Sequence, residues 1–211
     1  MRFLDLLKRT GKSLLSNVYH NWGETFVQRG RNQDAIKACT RSIRLNPRLA
    51  DSYVQRGIAY TNSGDYERAL ADFDYALELF PYRTYQRAEI LTRRGLVFHY
   101  MTNYEEALCN YNLALYILPR HSMTYVYRGM AEQASGNLNA AIADFNAAIH
   151  YDKNNFIAYR HRGDARVREG NLRQAIRDYW HYIELGTLSN AHQLSEVRDK
   201  IAQLQQQLST A

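Results

Sequence analysis

The residue types that most often perform catalysis or bind metals occur in this sequence, but they are not grouped. Its seven histidines are scattered, without the spacing of zinc ligands or of a His-Glu-x-x-His motif. Its two cysteines, Cys39 and Cys109, form no Cys-x-x-Cys pair, and no phosphate-binding glycine loop is present. We therefore predict that the protein is not an enzyme and uses no metal or cofactor.

Charged residues recur in pairs. In four places an arginine directly precedes a glycine and is followed sixteen residues later by an acid or an amide: Arg56 and Asp72, Arg94 and Asn110, Arg128 and Asp144, Arg162 and Asp178. A buried arginine needs a partner, because an isolated buried charge is strongly unfavourable. We predict three hydrogen-bonded Arg–Asp pairs, with Asn110 as a neutral substitute. The alternative is that these arginines bind a ligand.

Two series of small residues show which elements position these pairs. The glycines recur at intervals of 34, 38, 34 and 34 residues, and so do five alanines: Gly23, Gly57, Gly95, Gly129, Gly163, Ala35, Ala69, Ala107, Ala141 and Ala175. Four residues after each alanine except the first stands an aromatic residue. This pattern predicts hairpins of two helices that touch at the small residues. Gly64, Gly136 and Gly170 should end first helices in the left-handed conformation, with Asp or Asn capping the second helices.

The unit from Tyr53 to Pro81 is similar to the tetratricopeptide repeat along its whole length, with Gly57, Tyr60, Ala69 and Phe73 at the family's positions. The resemblance implies an all-α fold, a right-handed α-solenoid of stacked helical hairpins. Five repeats follow from it: 16–49, 50–83, 88–121, 122–155 and 156–189. The insertion Thr84–Arg87 should lengthen the first helix of the third repeat by one turn.

Residues 190–211 are predicted to form an amphipathic capping helix. Their apolar residues recur every three or four positions, at Ala191, Leu194, Val197, Ile201, Leu204 and Leu208. Such a helix covers the open edge of the last repeat, binds a partner, or dimerises.

The family resemblance also implies a concave groove, lined by the first helices, that binds a peptide or a partner helix. Its positions are Asn21, Glu24, Val54, Gln55, Ile58, Asn62, Arg93, Leu96, His99, Tyr100, Val126, Tyr127, Met130, Gln133, Arg160, Asp164, Val167 and Arg168. Its middle is apolar and aromatic, which suits a partly hydrophobic segment or an amphipathic helix. Glu24 and Glu89 disfavour an anionic peptide tail. The alternative is that some of these residues pack between neighbouring repeats.

The charge of the chain is uneven. Residues 1–49 contain ten Lys or Arg against three Asp or Glu, whereas the remaining residues contain seventeen against eighteen. Residues 1–15 combine apolar and basic side chains, as in amphipathic helices that lie on surfaces. This segment packs on the first repeat, docks on a partner protein, or contacts an anionic membrane or a nucleic acid. The balanced charge after residue 50 argues against nucleic-acid binding by the repeats.

These features predict a protein-interaction scaffold, an adaptor or assembly factor that holds a partner segment in its groove. The alternative function is a structural subunit of a larger or membrane-associated complex, docked through its outer surface and basic N-terminus. No apolar run is long enough to span a membrane, and no export signal is evident. We expect a cytoplasmic protein. The alternative function would place it at the periphery of a membrane.

Overall fold

The structure is a computed structural model that describes residues 2–80, 84–186 and 191–210, with side chains described for all of these except residues 2–10, 191 and 192. Within these residues there are eleven α-helices and no strand. In chain order they are α1 (Arg2–Gln28), α2 (Asn32–Leu45), α3 (Ala50–Asn62), α4 (Tyr66–Leu79), α5 (Tyr85–Tyr100), α6 (Tyr104–Ile117), α7 (Ser122–Ala134), α8 (Leu138–Tyr151), α9 (Phe156–Glu169), α10 (Leu172–Leu185) and α11 (Ala191–Ser209). Pro81 and the start of the apolar series at Ala191 lie outside the residues whose side chains are described.

The turns inside the hairpins use glycine as predicted. Gly64, Gly136 and Gly170 have φ values of +78°, +89° and +85°, a conformation that residues with a Cβ rarely adopt. The predicted capping by side chains holds only in part. Asp65 accepts a hydrogen bond from the Arg68 backbone amide at the start of α4. Asparagines stand at the equivalent positions before α8 and α10 but form no cap bond, so that prediction was wrong for both.

Two first helices are longer than the repeat requires. The α5 helix has 16 residues against 13 in α3, and the Thr84 side chain caps its start by accepting from the Arg87 backbone amide. The extra turn expected from the insertion is therefore confirmed. The α1 helix has 27 residues and runs without a break from Arg2 to Gln28, so residues 2–15 are continuous with the first helix of the first repeat.

The chain divides into two units, residues 1–103 and 104–211. In the first unit α1 packs on α2, α2 on α3, α3 on α4 and α4 on α5. Its first helices also contact one another, α1 with α3 and α3 with α5. The fully buried Phe73 ring lies against Gly57, where an added Cβ would be 2.8 Å from the ring. The glycine thus permits the close approach of α3 and α4.

The second unit repeats this arrangement. Neighbouring helices pack from α6 to α11, and α7 contacts α9. Phe145 lies against Gly129 and Tyr179 against Gly163, where an added Cβ would be 2.7 Å and 2.6 Å from the rings. The helix α11 buries Val197, a residue of its apolar stripe, in the same cluster as Tyr179. In this unit α11 therefore covers the fifth repeat.

Candidate functional site

Three of the four recurring arginines are bound to an acid inside their own hairpins. Arg56 donates from Nε and Nη2 to the two carboxylate oxygens of Asp72, both at 2.8 Å. Arg128 makes the same two-pronged contact with Asp144 at 2.8 and 2.6 Å. The side chains of these two acids, and of Asp178 in the fifth repeat, are only 2% to 8% exposed. These donors are used within the fold, which leaves them unavailable to a ligand.

The fifth repeat has a denser version of this pair. Arg162 donates to both oxygens of Asp178 at 3.0 and 2.6 Å, and Arg166 donates to one of them at 2.6 Å. Burial lowers the pKa of Arg166, and the neighbouring Arg162 adds to this effect. In the second and fourth repeats the hydrogen bond to the acid raises the pKa of Arg56 and Arg128. The charged form is thus favoured where one arginine meets one acid.

Each arginine also reaches the preceding repeat, a contact that the sequence interpretation missed. Nη1 donates to a polar side chain on the preceding second helix, at 3.2 Å for Arg56 to Thr40, 2.7 Å for Arg128 to Asn112 and 2.7 Å for Arg162 to Asn146. In the first unit Arg94 Nε lies 2.8 Å from Asp74 Oδ1, which occupies the same repeat position. The sequence did contain the signal, because a polar residue stands five positions after the recurring alanine in the first four repeats: Thr40, Asp74, Asn112 and Asn146.

Four of the predicted groove residues of the first unit, Val54, Gln55, Ile58 and Arg93, line a pocket between α3 and α5. It has a volume of about 220 Å³, with an apolar floor and a polar rim. The floor is formed by Val54, Ile58, Phe80 and Ile90, and the rim by Asp51, Gln55, Tyr85, Gln86, Glu89 and Arg93. The Tyr85 hydroxyl donates to Glu89, whose other carboxylate oxygen lies 3.8 Å from Arg93. The pocket is thus a small apolar hollow with acids at its edge.

The other groove residues of the first unit lie on the same helices. Asn21 and Glu24 are exposed on α1. Asn62 and Tyr100 line a second hollow, where the Tyr100 ring stacks on Tyr66 with centroids 6.1 Å apart. On α5, Leu96 and His99 are half-buried, and burial lowers the pKa of the His99 imidazole.

In the second unit the predicted residues divide into accessible and occupied ones. Tyr127 stacks on Tyr111 with centroids 6.3 Å apart, and Met130 is partly buried against the core. Gln133 accepts a hydrogen bond from Arg168 through its backbone oxygen at 3.0 Å. Val126 is fully buried with Phe145, so it offers no surface to a partner, and its assignment to the groove has to be corrected.

The predicted residues on α9 are partly used by other helices. Asp164 accepts from the Tyr179 hydroxyl at 2.8 Å and from Lys200 of α11 at 2.5 Å. Val167 packs in the apolar cluster that α11 completes, and the Arg160 guanidinium lies 5.9 Å from the centre of a tyrosine ring of α10. Only part of the predicted groove on this helix is open.

Chemistry other than binding has no evident site in the part of the chain that the structure describes. Among these residues no group of three or more His, Cys, Asp or Glu side chains is placed to hold a metal ion. Burial raises the pKa of the Cys39 thiol to about 12, so this thiol is unsuited to nucleophilic attack at neutral pH. None of the described helices is long and apolar enough to cross a membrane.

Comparison with known proteins gives a consistent result. Models of the tetratricopeptide repeat match residues 23–94 and 128–179, together more than half of the chain. The structure of MamA from Desulfovibrio magneticus RS-1 is 25% identical, with a TM-score of 0.66, and the match covers 81% of this chain and 94% of that one. PilF from Pseudomonas aeruginosa is 18% identical, with a TM-score of 0.74 over 95% and 93% of the two chains.

A curated relative that matches is far longer than this chain. It is a UDP-N-acetylglucosamine–peptide N-acetylglucosaminyltransferase from Giardia intestinalis, 35% identical over 63 residues, which is 30% of this chain and 4% of that protein. So short a match carries no argument for transferase activity. The matched structures confirm the predicted fold class, an all-helical solenoid of hairpins.

Proposed function

Because the chain belongs to the tetratricopeptide repeat family, whose fold generally serves as a scaffold for protein–protein interaction, we propose that it binds a segment of another protein along its first helices. In the cell it would act as an adaptor or assembly factor in the cytoplasm. The observation that carries the proposal is the pocket between α3 and α5.

The size and polarity of the pocket favour a peptide side chain as its occupant. At about 220 Å³ it is smaller than the roughly 300–1,000 Å³ typical of small-molecule sites. Its floor at Val54, Ile58 and Ile90 is apolar, so an aliphatic or aromatic side chain gains by entering it. Asp51 and Glu89 at the rim disfavour acidic residues beside that side chain. We therefore propose an apolar segment without acidic neighbours as the ligand.

The second unit presents residues of the same kind on one of its own first helices. Tyr127 and Met130 lie on α7, and neither is fully buried. Aromatic and methionine side chains adapt to varied apolar partners. The alternative, a structural subunit, is favoured by a different surface, the exposed apolar residues Leu14, Leu15, Val18 and Trp22 of α1.

The proposal is tested by selecting peptides from a random library on the full-length protein and measuring their affinities by fluorescence anisotropy. We expect the selected peptides to be rich in apolar residues and poor in acidic ones. Ile58→Glu, which places a charge in the pocket floor, should weaken them by about 1.4 kcal/mol or more, tenfold in affinity. Leu113→Glu, an exposed change on the second helix α6, is the matched control and should leave affinity unchanged.

A loss of folding is distinguished by a thermal melt of each variant and by Asp51→Lys, an exposed change at the pocket rim. This variant should fold normally and reduce binding of peptides that carry a basic residue. Selected peptides that bind Ile58→Glu and wild type equally would show that the pocket is not the binding site.

A further inference from the structure

One face of α1 is exposed, and it includes a position that is buried in every other repeat. Val18 is 42% exposed, whereas the residues at its repeat position in α3, α5, α7 and α9 are at most 1% exposed: Ser52, Ile90, Thr124 and Ala158. In those helices the position faces the preceding second helix, as the 2.8 Å hydrogen bond between the Ser52 and Ser42 hydroxyls of α3 and α2 shows. The exposed face of α1 is therefore a repeat-stacking surface that the described helices leave uncovered.

Trp22 extends this surface. It stands at the position of Arg56, Arg128 and Arg162, whose side chains reach polar residues of the preceding second helix. In place of that polar contact the first repeat presents an indole that is 52% exposed. Leu14 and Leu15, one turn before Val18, are 68% and 46% exposed.

These four residues form one stripe, which we call the α1 face: Leu14, Leu15, Val18 and Trp22. Their spacing places them on one side of a helix. The contrast with the other end of the chain is clear, since α11 covers the fifth repeat with Val197, Ile201 and Leu204, each at most 5% exposed. A contiguous group of exposed large apolar residues marks an interaction site more often than isolated ones do.

The repeats themselves indicate what shape fits the α1 face. In four repeats the equivalent face is covered by the preceding second helix, and these helices, α2, α4, α6 and α8, have 14 residues each. A helix with one apolar stripe therefore has the shape that this surface accepts.

Charge indicates the polar residues of that helix. Residues 1–49 have an excess of seven positive charges, the difference between ten basic and three acidic residues. Part of this charge adjoins the α1 face, because the Arg41 guanidinium lies 5.7 Å from the Tyr19 ring, which itself contacts the Trp22 ring edge-on at 5.4 Å. Lys12 is exposed on the same helix. A second copy of this chain would bring an equal positive charge to the contact, which is unfavourable.

We propose that the α1 face binds an amphipathic helix of another protein, with acidic residues flanking its apolar stripe. This contact is independent of the proposed groove, since the face and the pocket between α3 and α5 share no residue. The protein would thereby hold two partners, or two segments of one partner, at separate surfaces.

The test uses Trp22 as the reporter in a Trp180→Phe background, which leaves one tryptophan in the chain. The probes are two 14-residue stapled helical peptides with the same apolar stripe, one flanked by glutamates and one by lysines. We expect the acidic peptide to shift the Trp22 emission to the blue, to protect it from acrylamide, and to bind about tenfold more tightly than the basic peptide at low ionic strength. About 1 M salt, with a Debye length of roughly 3 Å, should remove most of this difference.

Two variants connect the signal to the surface. Val18→Asp and Leu14→Glu change exposed positions, so both should fold, as checked by a thermal melt, and both should abolish the shift. Ile58→Glu, in the groove pocket, should not alter it, which separates this proposal from the proposed function. Equal binding of the two peptides, or no protection of Trp22, would overturn the proposal.

Two other occupants give distinct results. Protection of Trp22 that rises with protein concentration alone, together with a dimer in sedimentation, would assign the α1 face to a second copy and refute the partner helix. A shift with phosphatidylserine vesicles but not with the acidic peptide would assign the face to a membrane and refute it as well.

Discussion

Replacing Asp144 by alanine should destabilise the second unit measurably. The carboxylate accepts two hydrogen bonds from Arg128, at 2.8 and 2.6 Å, and its side chain is only 8% exposed. The substitution removes both acceptors and leaves the guanidinium charge beside the core. Removing one partner of a buried ion pair costs about 3–5 kcal/mol. Because Arg128 remains 26% exposed and keeps its bond to Asn112, we expect a smaller loss, about 2–3 kcal/mol.

The same reasoning orders three variants. Asp178→Ala removes the acceptor that two guanidinium groups share, those of Arg162 and Arg166, which are 14% and 16% exposed. Arg162 keeps its bond to Asn146, but two positive charges are left side by side. It should therefore cost about 3–5 kcal/mol, more than Asp144→Ala. Asp34→Ala is the matched control, since its pair with Arg31 is 38% and 55% exposed. Surface pairs contribute at most about 1 kcal/mol, so this change should be nearly neutral.

The assay is urea unfolding followed by circular dichroism, with hydrogen exchange of α7–α10 as a local measure, because repeat proteins do not always unfold in one step. The expected order of free-energy loss is Asp178→Ala, then Asp144→Ala, then Asp34→Ala. Equal and small losses for all three would show that the hairpin pairs are solvated in solution. A loss for Asp34→Ala as large as that for Asp144→Ala would refute the assignment of the effect to burial.

Two further predictions follow from the packing. Gly129→Ala should lower the free energy of unfolding by about 1–3 kcal/mol, because the added Cβ would lie 2.7 Å from a buried phenylalanine ring of α8. Gly11→Ala is the control: its added Cβ would meet no atom within 4 Å, so it should be neutral or stabilising by up to about 1 kcal/mol. Urea unfolding measures both. The exposed Cys109 should react with a thiol reagent at pH 9, and the buried Cys39 should not. Burial raises the pKa of the Cys39 thiol from 9.0 to about 12, so this thiol stays protonated until the pH approaches that value. Fast reaction of both thiols in the folded protein would contradict this.

The sequence predicted what depends on residues within one hairpin. The Arg–Asp pairing was inferred from an acid that recurs sixteen residues after the arginine, and the structure places three such pairs in contact. The left-handed turn at Gly64 was inferred from the residue type alone. Both features are local, so a pattern repeated along the chain is enough to define them.

Contacts that depend on a neighbouring element were not predictable in this way. Val126 was assigned to the groove from its repeat position, yet it is fully buried, while Val54 at the same position is only half-buried. The helix that lies next to each residue decides its exposure. Asp164 was likewise assigned to the groove, but Lys200 contacts it from 36 residues away. A residue-by-residue transfer of groove positions contains no information on such contacts.

The two tryptophans of the chain show how the polar contacts between repeats begin and end. Each such contact needs an arginine on a first helix and a polar acceptor on the preceding second helix. At the arginine position the first repeat has Trp22, and at the acceptor position the last repeat has Trp180. Both indoles are about half exposed, at 52% and 44%. Because Trp22 carries no charge to satisfy, an apolar helix can cover it without leaving an arginine unpaired, which is the physical reason that the α1 face suits a helix of another protein.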